Sequence, residues 1–401
     1  MDGSTLDRRF LRINKKLGIL TGVWPSDEYS TKWISRIVLI FIIIPTYITQ
    51  FSRLIVFPRM DIFLNDYPHL LVGLGISIKV GNYFINEAEL KSLIGKIYED
   101  WRNTISEDEY NIMSKYAKRG VLVVALYILH VVVCILLFIC IPYVPPILDI
   151  IMPLNETREP LLVYPAYYFI DQIKYHYWIV AHMTVVLSYL GCTFCACDAN
   201  YVYAVQHACG LLAVTGYRFK YACFEVTDND QNTAEMTRKM YKNVCHSILL
   251  HQRAIEWVFN FVYIGKRYVK VITTTHDTCM FITVSLLMMS ISASLLRMSG
   301  HDRDPEWVKN SAFLVAQLFH MLFLVIQGQF VLDSYDNLYN TIYESTWYNS
   351  SPETQALYVL TLRSSLNPPL LTAGGFITLN LKTFAEIIKT SVSYYTVMQS
   401  T

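Results

Sequence analysis

Seven predominantly apolar runs, each close to the 20 or so residues a helix needs to cross a bilayer, constrain this chain more than any other feature. They cover about 34–56, 68–85, 121–141, 177–197, 279–296, 310–332 and 371–398. Inside hydrocarbon every backbone N–H and C=O must be satisfied within the segment, so runs of this length cross as α-helices. Only 16% of the 401 residues are charged, against about 25% in a soluble domain. The expected fold is therefore all-α: one polytopic membrane domain of seven transmembrane helices.

The polar segments between the runs orient the helices. Asn155-Glu-Thr, between the third and fourth runs, is a glycosylation sequon, and a loop that carries a sugar lies outside the cell. The basic residues agree. Lys91, Lys96, Arg102, Lys115, Lys118 and Arg119 fall in one loop on the opposite side, and Arg218, Lys220, Arg238, Lys239, Lys242, Arg253, Lys266 and Arg267 in another. The expected outer loops hold only Arg59, Arg158, Lys174, Arg303 and Lys309. This bias puts the N-terminus in the cytoplasm and the C-terminus outside. The first 33 residues carry six basic residues and no apolar core, so the first span serves as the insertion signal. Lys79, near the inner end of the short second span, is expected to snorkel to the interface.

The inner loops have helical apolar spacing. Val244, Ile248, Ile255, Val258, Phe259 and Val262 recur at three- and four-residue steps, and Glu87–Lys118 reads as a further helical extension. Segments of about 198–270 and 333–369 are expected to form a packed cytoplasmic anchor. No enzyme signature is present: His246 and His251 are five apart rather than four, and no P-loop, G-x-S-x-G or Rossmann glycine set occurs. No metal, cofactor or nucleic-acid partner is expected; Cys192, Cys195 and Cys197 lie in a span, where thiols behave as small hydrophobes. Transporter-like repeats are missing.

The last run carries the functional signal. Lys382, Glu386, Lys389, Ser393 and Thr396/Val397 recur at helical steps on one face. Charges at membrane depth face protein or water rather than lipid, so this edge either lines an aqueous path or consists of mutually paired charges near the inner interface. Val397, toward the outer end, suits an apolar ring that closes a pore by dewetting.

The residues Thr383-Phe384 through Lys389, Ser391, Ser393-Tyr394-Tyr395 and Val397 resemble the C-terminal signature of insect odorant receptors. Ala373-Gly374-Gly375-Phe376, Tyr343-Glu-Ser-Thr-Trp347-Tyr348, His207-Ala-Cys209-Gly210 and His251-Gln-Arg-Ala254 resemble the same family, in the style of its ant and bee members. The resemblance implies a ligand-gated, non-selective cation channel of four subunits, the last helix of each lining the pore. It also implies assembly with a dedicated co-receptor in the plasma membrane of a sensory neuron's dendrite. No long insertion separates Cys197 from Cys279, so the chain resembles an odorant-specific tuning subunit rather than the co-receptor.

A gustatory-type receptor channel, or a metabotropic chemoreceptor of inverted topology, is the alternative. The resemblance further places a volatile ligand in the outer half of the bundle, against Leu70, Leu74, Ser77, Cys134, Phe138, Tyr177, Ala181, His182, Phe313, Gln317 and His320. His182 and Gln317 stand out there, because a buried polar group needs a partner that a ligand hydroxyl or carbonyl could supply.

Overall fold

Apolar side chains repeating every three or four residues, with few internal breakers, make the long segments of this chain helical in the computed structural model. The structure describes residues 6–25, 29–104, 106–153, 157–222, 233–262, 273–299, 305–366, 368 and 370–400. The chain opens with a π-helical turn, Asp7–Leu11, running into α1 (Arg12–Thr21), which ends at Gly22 in the left-handed conformation. α2 (Tyr29–Val56) and α3 (Met60–Ile85) follow, then the short α4 (Glu87–Arg102). α5 (Glu107–Cys140) continues through a 3₁₀ turn into α6 (Val144–Ile151). The rest comprises α7 (His176–Ala222), α8 (Thr233–Val262), α9 (Thr273–Ser299), α10 (Pro305–Tyr343), α11 (Pro352–Ser365) and α12 (Leu381–Ser400).

Among the described residues, five helical stretches are long and apolar enough to cross a membrane: 30–56, 107–151, 176–222, 278–298 and 307–349. The expected second and seventh spans correspond to α3 and α12, which are helices of 26 and 20 residues. Neither is among those five, because charged and polar residues interrupt their apolar character.

The lipid-facing surface is legible on α2. Ile34, Ile37, Phe41, Ile44, Ile48, Phe51 and Ile55 are exposed at helical spacing, an apolar stripe that would be costly in water. α5 shows the same with Leu122, Leu126, Leu129, Val133, Leu136 and Leu137. The chain is a multi-pass helical membrane protein.

The core sits at the other end. α7 has 47 residues, about 70 Å at 1.5 Å per residue, more than twice the hydrocarbon thickness of about 30 Å. From Cys195 to Leu212 every residue of it is buried, as in a helix surrounded by protein on all sides. α1, α5, α8 and α10 enclose it. Asn14 donates to the Ala199 carbonyl at 3.0 Å, and the Tyr358 hydroxyl of α11 donates to that of Phe219 at 2.7 Å. Polar pairs to buried carboxylates tie the layer laterally: His207 to Asp100 at 3.0 Å, Arg253 to Asp100 at 2.7 Å, and Arg218 to Glu109 at 2.6 Å.

Several expectations are corrected. Glu87–Lys118 is two helices, because the chain turns at Asn103 and restarts where Ser106 caps the Glu109 N–H at 3.1 Å. The expected last span, 371–398, begins ten residues late. Thr372–Ala373 (β1) pairs with Ile377–Thr378 (β2) across Gly374 and Gly375, whose φ values of 70° and 77° leave the helical region. Asn380 then caps α12 by accepting from Thr383 N at 2.9 Å. This hairpin presses on α10 at Gly328: a Cβ there would lie 1.7 Å from the Leu379 carbonyl oxygen, so only glycine permits the contact. Lys79 does not snorkel; it is 6% exposed and lies deep in the bundle. Asn155 lies outside the described residues.

Candidate ligand cavity and charged helix edge

A cavity of about 240 Å³ lies among α2, α3, α5, α7, α9 and α10. Its walls are mainly apolar, supplied by Ile43, Val72, Ile76, Val131, Ile135, Leu187, Leu190, Leu286 and Leu287. The loop before α7 closes one side with Val163 and Tyr164, which pack with Phe138, Ile179, Val180 and Met183 into a small apolar cluster of their own. Apolar walls with a few fixed polar groups suit a small organic ligand.

The expected ligand residues divide by helical phase. Ser77, Cys134, Phe138, Phe313, Gln317 and His320 line the cavity. Tyr177, Ala181 and His182 do not: they are exposed, and the inward face of α7 at that level belongs to Ile179, Val180, Met183, Val186 and Leu187. That stripe has the i, i+1, i+4, i+7, i+8 spacing of one helix face. His182 meets the Tyr168 hydroxyl instead, at 2.9 Å. Leu70 and Leu74, one turn apart on α3, lie outside the cavity wall; Leu70 is buried elsewhere and Leu74 is exposed.

Sequence reasoning missed the α2 wall (Ile43, Thr46, Tyr47, Gln50), His69, the loop residues and the α9 wall around Thr283. One signal existed. Thr46, Tyr47 and Gln50 form a polar notch in an apolar run, and polar groups in a span face the bundle interior. Tyr47 and Ser77 there share a hydrogen bond at 2.9 Å.

Beside the cavity, four helices meet in a buried polar knot. Lys79 of α3 contacts Asp198 of α7 at 2.6 Å and donates to His320 Nε2 of α10 at 3.3 Å. The Tyr127 hydroxyl of α5 donates to Asp198 Oδ2 at 2.7 Å and lies 3.0 Å from His320 Nδ1. The protons assign themselves consistently. Lys79 is a donor only, so His320 Nε2 accepts and Nδ1 carries the hydrogen that Tyr127 receives. Lys79 also lies 4.5 Å over the Phe194 ring. Tyr127, Phe194 and His320 all line the cavity as well, so the knot forms part of its wall.

The second feature is the edge of α12. Lys382, Glu386, Lys389, Ser393, Thr396 and Val397 are all exposed, whereas Thr383, Ile387 and Ser391 are buried against α9 and α10. Among the described residues no ion pair joins Lys382, Glu386 or Lys389, so the mutual-pairing alternative gains no support. Ser393 and Thr396 spend their hydroxyls on the helix backbone, donating to the carbonyls of Lys389 and Ser393 at 3.0 and 2.8 Å. The charged edge faces away from its own bundle.

Fold and site together define a helical multi-pass membrane protein with a largely apolar cavity among its helices. The profile of the family described as 7tm Odorant receptor matches residues 62–392, and the chain belongs to that insect odorant receptor family. Odorant receptor 13a of Drosophila melanogaster is 22% identical over 416 aligned positions, covering 95% of this chain and 93% of that protein. Odorant receptor 63a of the same insect is 23% identical over 254 residues, or 63% of this chain; the match spans only 55% of that relative's length. The fold is similar to that of the insect olfactory receptor OR5 from Machilis hrabei in complex with eugenol, with a TM-score of 0.76, 12% identity and 99% of each chain covered. A second structure of the same receptor gives a TM-score of 0.72 at 13% identity over 98% of each chain.

Proposed function

We propose that this chain is an odorant-specific subunit of a ligand-gated, non-selective cation channel in the plasma membrane. A volatile binds in the cavity, touching Ser77, Cys134, Phe138, Phe313, Gln317 and His320. Seven helices cross the bilayer, the N-terminus lies in the cytoplasm and the C-terminus outside. The inner layer around α7, α8 and α11 anchors the subunits, and the partner is a co-receptor subunit, with four chains around one axis.

The observation that carries this reading is the α12 edge. A helix in a membrane that turns two lysines and a glutamate away from its own bundle exposes them either to lipid, which is costly, or to water shared with other subunits. The second option makes α12 a pore wall, with Val397 at its constriction. A relative of similar fold has been described with eugenol, a small organic molecule of the class this cavity suits.

Gating follows as a population shift. The ligand opens the pore only to the extent that it binds the open form better, and moving a 1:99 equilibrium to 99:1 takes about 5.5 kcal/mol of such preference. The test is two-electrode voltage clamp with a panel of volatiles, on cells expressing the chain with and without an odorant co-receptor. Odorant-evoked cation current in the co-expressing cells is expected. Glycosylation of a tag placed before Met1 would put the N-terminus outside and favour a metabotropic receptor instead.

A further inference from the structure

We infer that the cavity selects neutral ligands that donate a hydrogen bond, alcohols and phenols, over carbonyl compounds, ethers and hydrocarbons of the same shape. This rests on the proposed ligand-binding role of the cavity.

The proton bookkeeping of two wall residues carries the inference. Ser294 donates its hydroxyl proton to the Ser290 carbonyl at 2.9 Å, so its oxygen is left to accept. Gln317 lies 3.3 Å from that oxygen and must therefore present its amide N–H₂ there. Its carbonyl oxygen Oε1 is turned the other way, is buried, and receives no hydrogen bond from any described residue. Gln317 itself is 3% exposed.

His69 repeats the pattern. Its Nδ1 lies 3.2 Å from the Asn65 backbone carbonyl oxygen, which can only accept, so Nδ1 carries the proton. Nε2 is then a bare acceptor, also buried and without a partner among the described residues. The two acceptors belong to one end of the cavity. The His69 ring stacks on Phe313 at 4.5 Å and 5°, and Phe313 is one helical turn from Gln317 on the same face of α10. Gln50 on α2 adds a third buried carbonyl oxygen without a partner among the described residues to the cavity lining.

Buried acceptors without donors are unfavourable, and a ligand hydroxyl would relieve one. A ketone, ester or ether brings only acceptors. It can take the Tyr164 or Thr283 hydroxyl of the same lining, each without a partner among the described residues, but leaves the Gln317 and His69 acceptors unrelieved. A ligand hydroxyl both donates and accepts and serves both sets. A protonated amine brings donors but also a charge, and no carboxylate is among the residues lining the cavity to neutralise it. The remaining class is the neutral hydroxyl compound.

The experiment uses matched sets: an alcohol or phenol, its methyl ether, the corresponding aldehyde and the hydrocarbon. Each is measured as the half-maximal concentration for current in cells co-expressing the co-receptor, and by thermal shift of the purified receptor. The hydroxyl member should act at a concentration about tenfold lower than its ether. Gln317→Met and His69→Phe preserve shape and the ring stack, and each should pull that ratio toward one. Equal potency of hydroxyl, ether and hydrocarbon overturns the donor preference while leaving the channel reading intact. A hydroxyl preference in the thermal shift without any current overturns the channel reading and leaves the preference standing. A ratio unmoved in both variants overturns the assignment to these acceptors.

Discussion

Lys79→Met should be among the most damaging single substitutions in this protein, and its effect should be largely undone by a second change. The Lys79 and Asp198 side chains are 7% and 4% exposed and 2.6 Å apart. Removing the lysine leaves Asp198 as a buried carboxylate with the Tyr127 hydroxyl at 2.7 Å and the edge of the His320 ring. Breaking a buried pair on one side costs about 3–5 kcal/mol. The surviving Tyr127 bond argues for the lower end, about 3 kcal/mol. Lys79→Met with Asp198→Asn removes both charges at little change of volume, and Tyr127 can still donate to the asparagine carbonyl oxygen. The double variant should cost about 1 kcal/mol, giving a coupling of about 2 kcal/mol or more in a double-mutant cycle. Thermal melting of the purified single and double variants, with surface delivery alongside, measures it. Additive losses would refute the reasoning, and so would a Lys79→Met protein as stable as the parent.

Three further outcomes follow from other parts of the molecule. Gly328→Ala drives a methyl into the Leu379 carbonyl oxygen, 1.7 Å from the ideal Cβ, so α10 and the hairpin must separate; reduced melting temperature and surface expression are expected, on the order of 2–3 kcal/mol. In the inner layer, burial lowers the His251 pKa from 6.5 to about 4. The folded layer holds this ring neutral while an opened one would protonate, so the layer loses stability as pH falls from about 6.5 toward 4, by roughly 3 kcal/mol at most. Hydrogen exchange in α8 and α10 should accelerate over that range, and His251→Phe should flatten the dependence. On the proposed channel reading, Val397→Thr should raise resting conductance, since a wetted ring closes poorly; an unchanged leak and an unchanged evoked current would take Val397 out of the gate.

The run lengths alone determined that this chain would be helical and membrane-spanning, because hydrocarbon leaves the backbone no other way to satisfy itself. Helical periodicity in α12 likewise identified which of its residues share an edge, since a regular helix fixes azimuth from spacing. On α7 the resemblance placed Tyr177, Ala181 and His182 against the ligand, yet all three are exposed and none lines the cavity, because which side of a helix turns inward depends on which neighbours pack there. Sequence spacing also left open whether Gln317 would seek a hydroxyl or a carbonyl. Only the fold bears on it, because the Ser294 proton goes to a backbone oxygen one turn away, which turns the Gln317 amide nitrogen to that hydroxyl and leaves the carbonyl oxygen unpaired among the described residues. Lys79 is the plainest case. Its reach along α3 suited snorkelling to an interface, and its actual partner, 119 positions away in the chain, was beyond any local pattern: a long-range electrostatic pair exists only once tertiary packing has removed both charges from water.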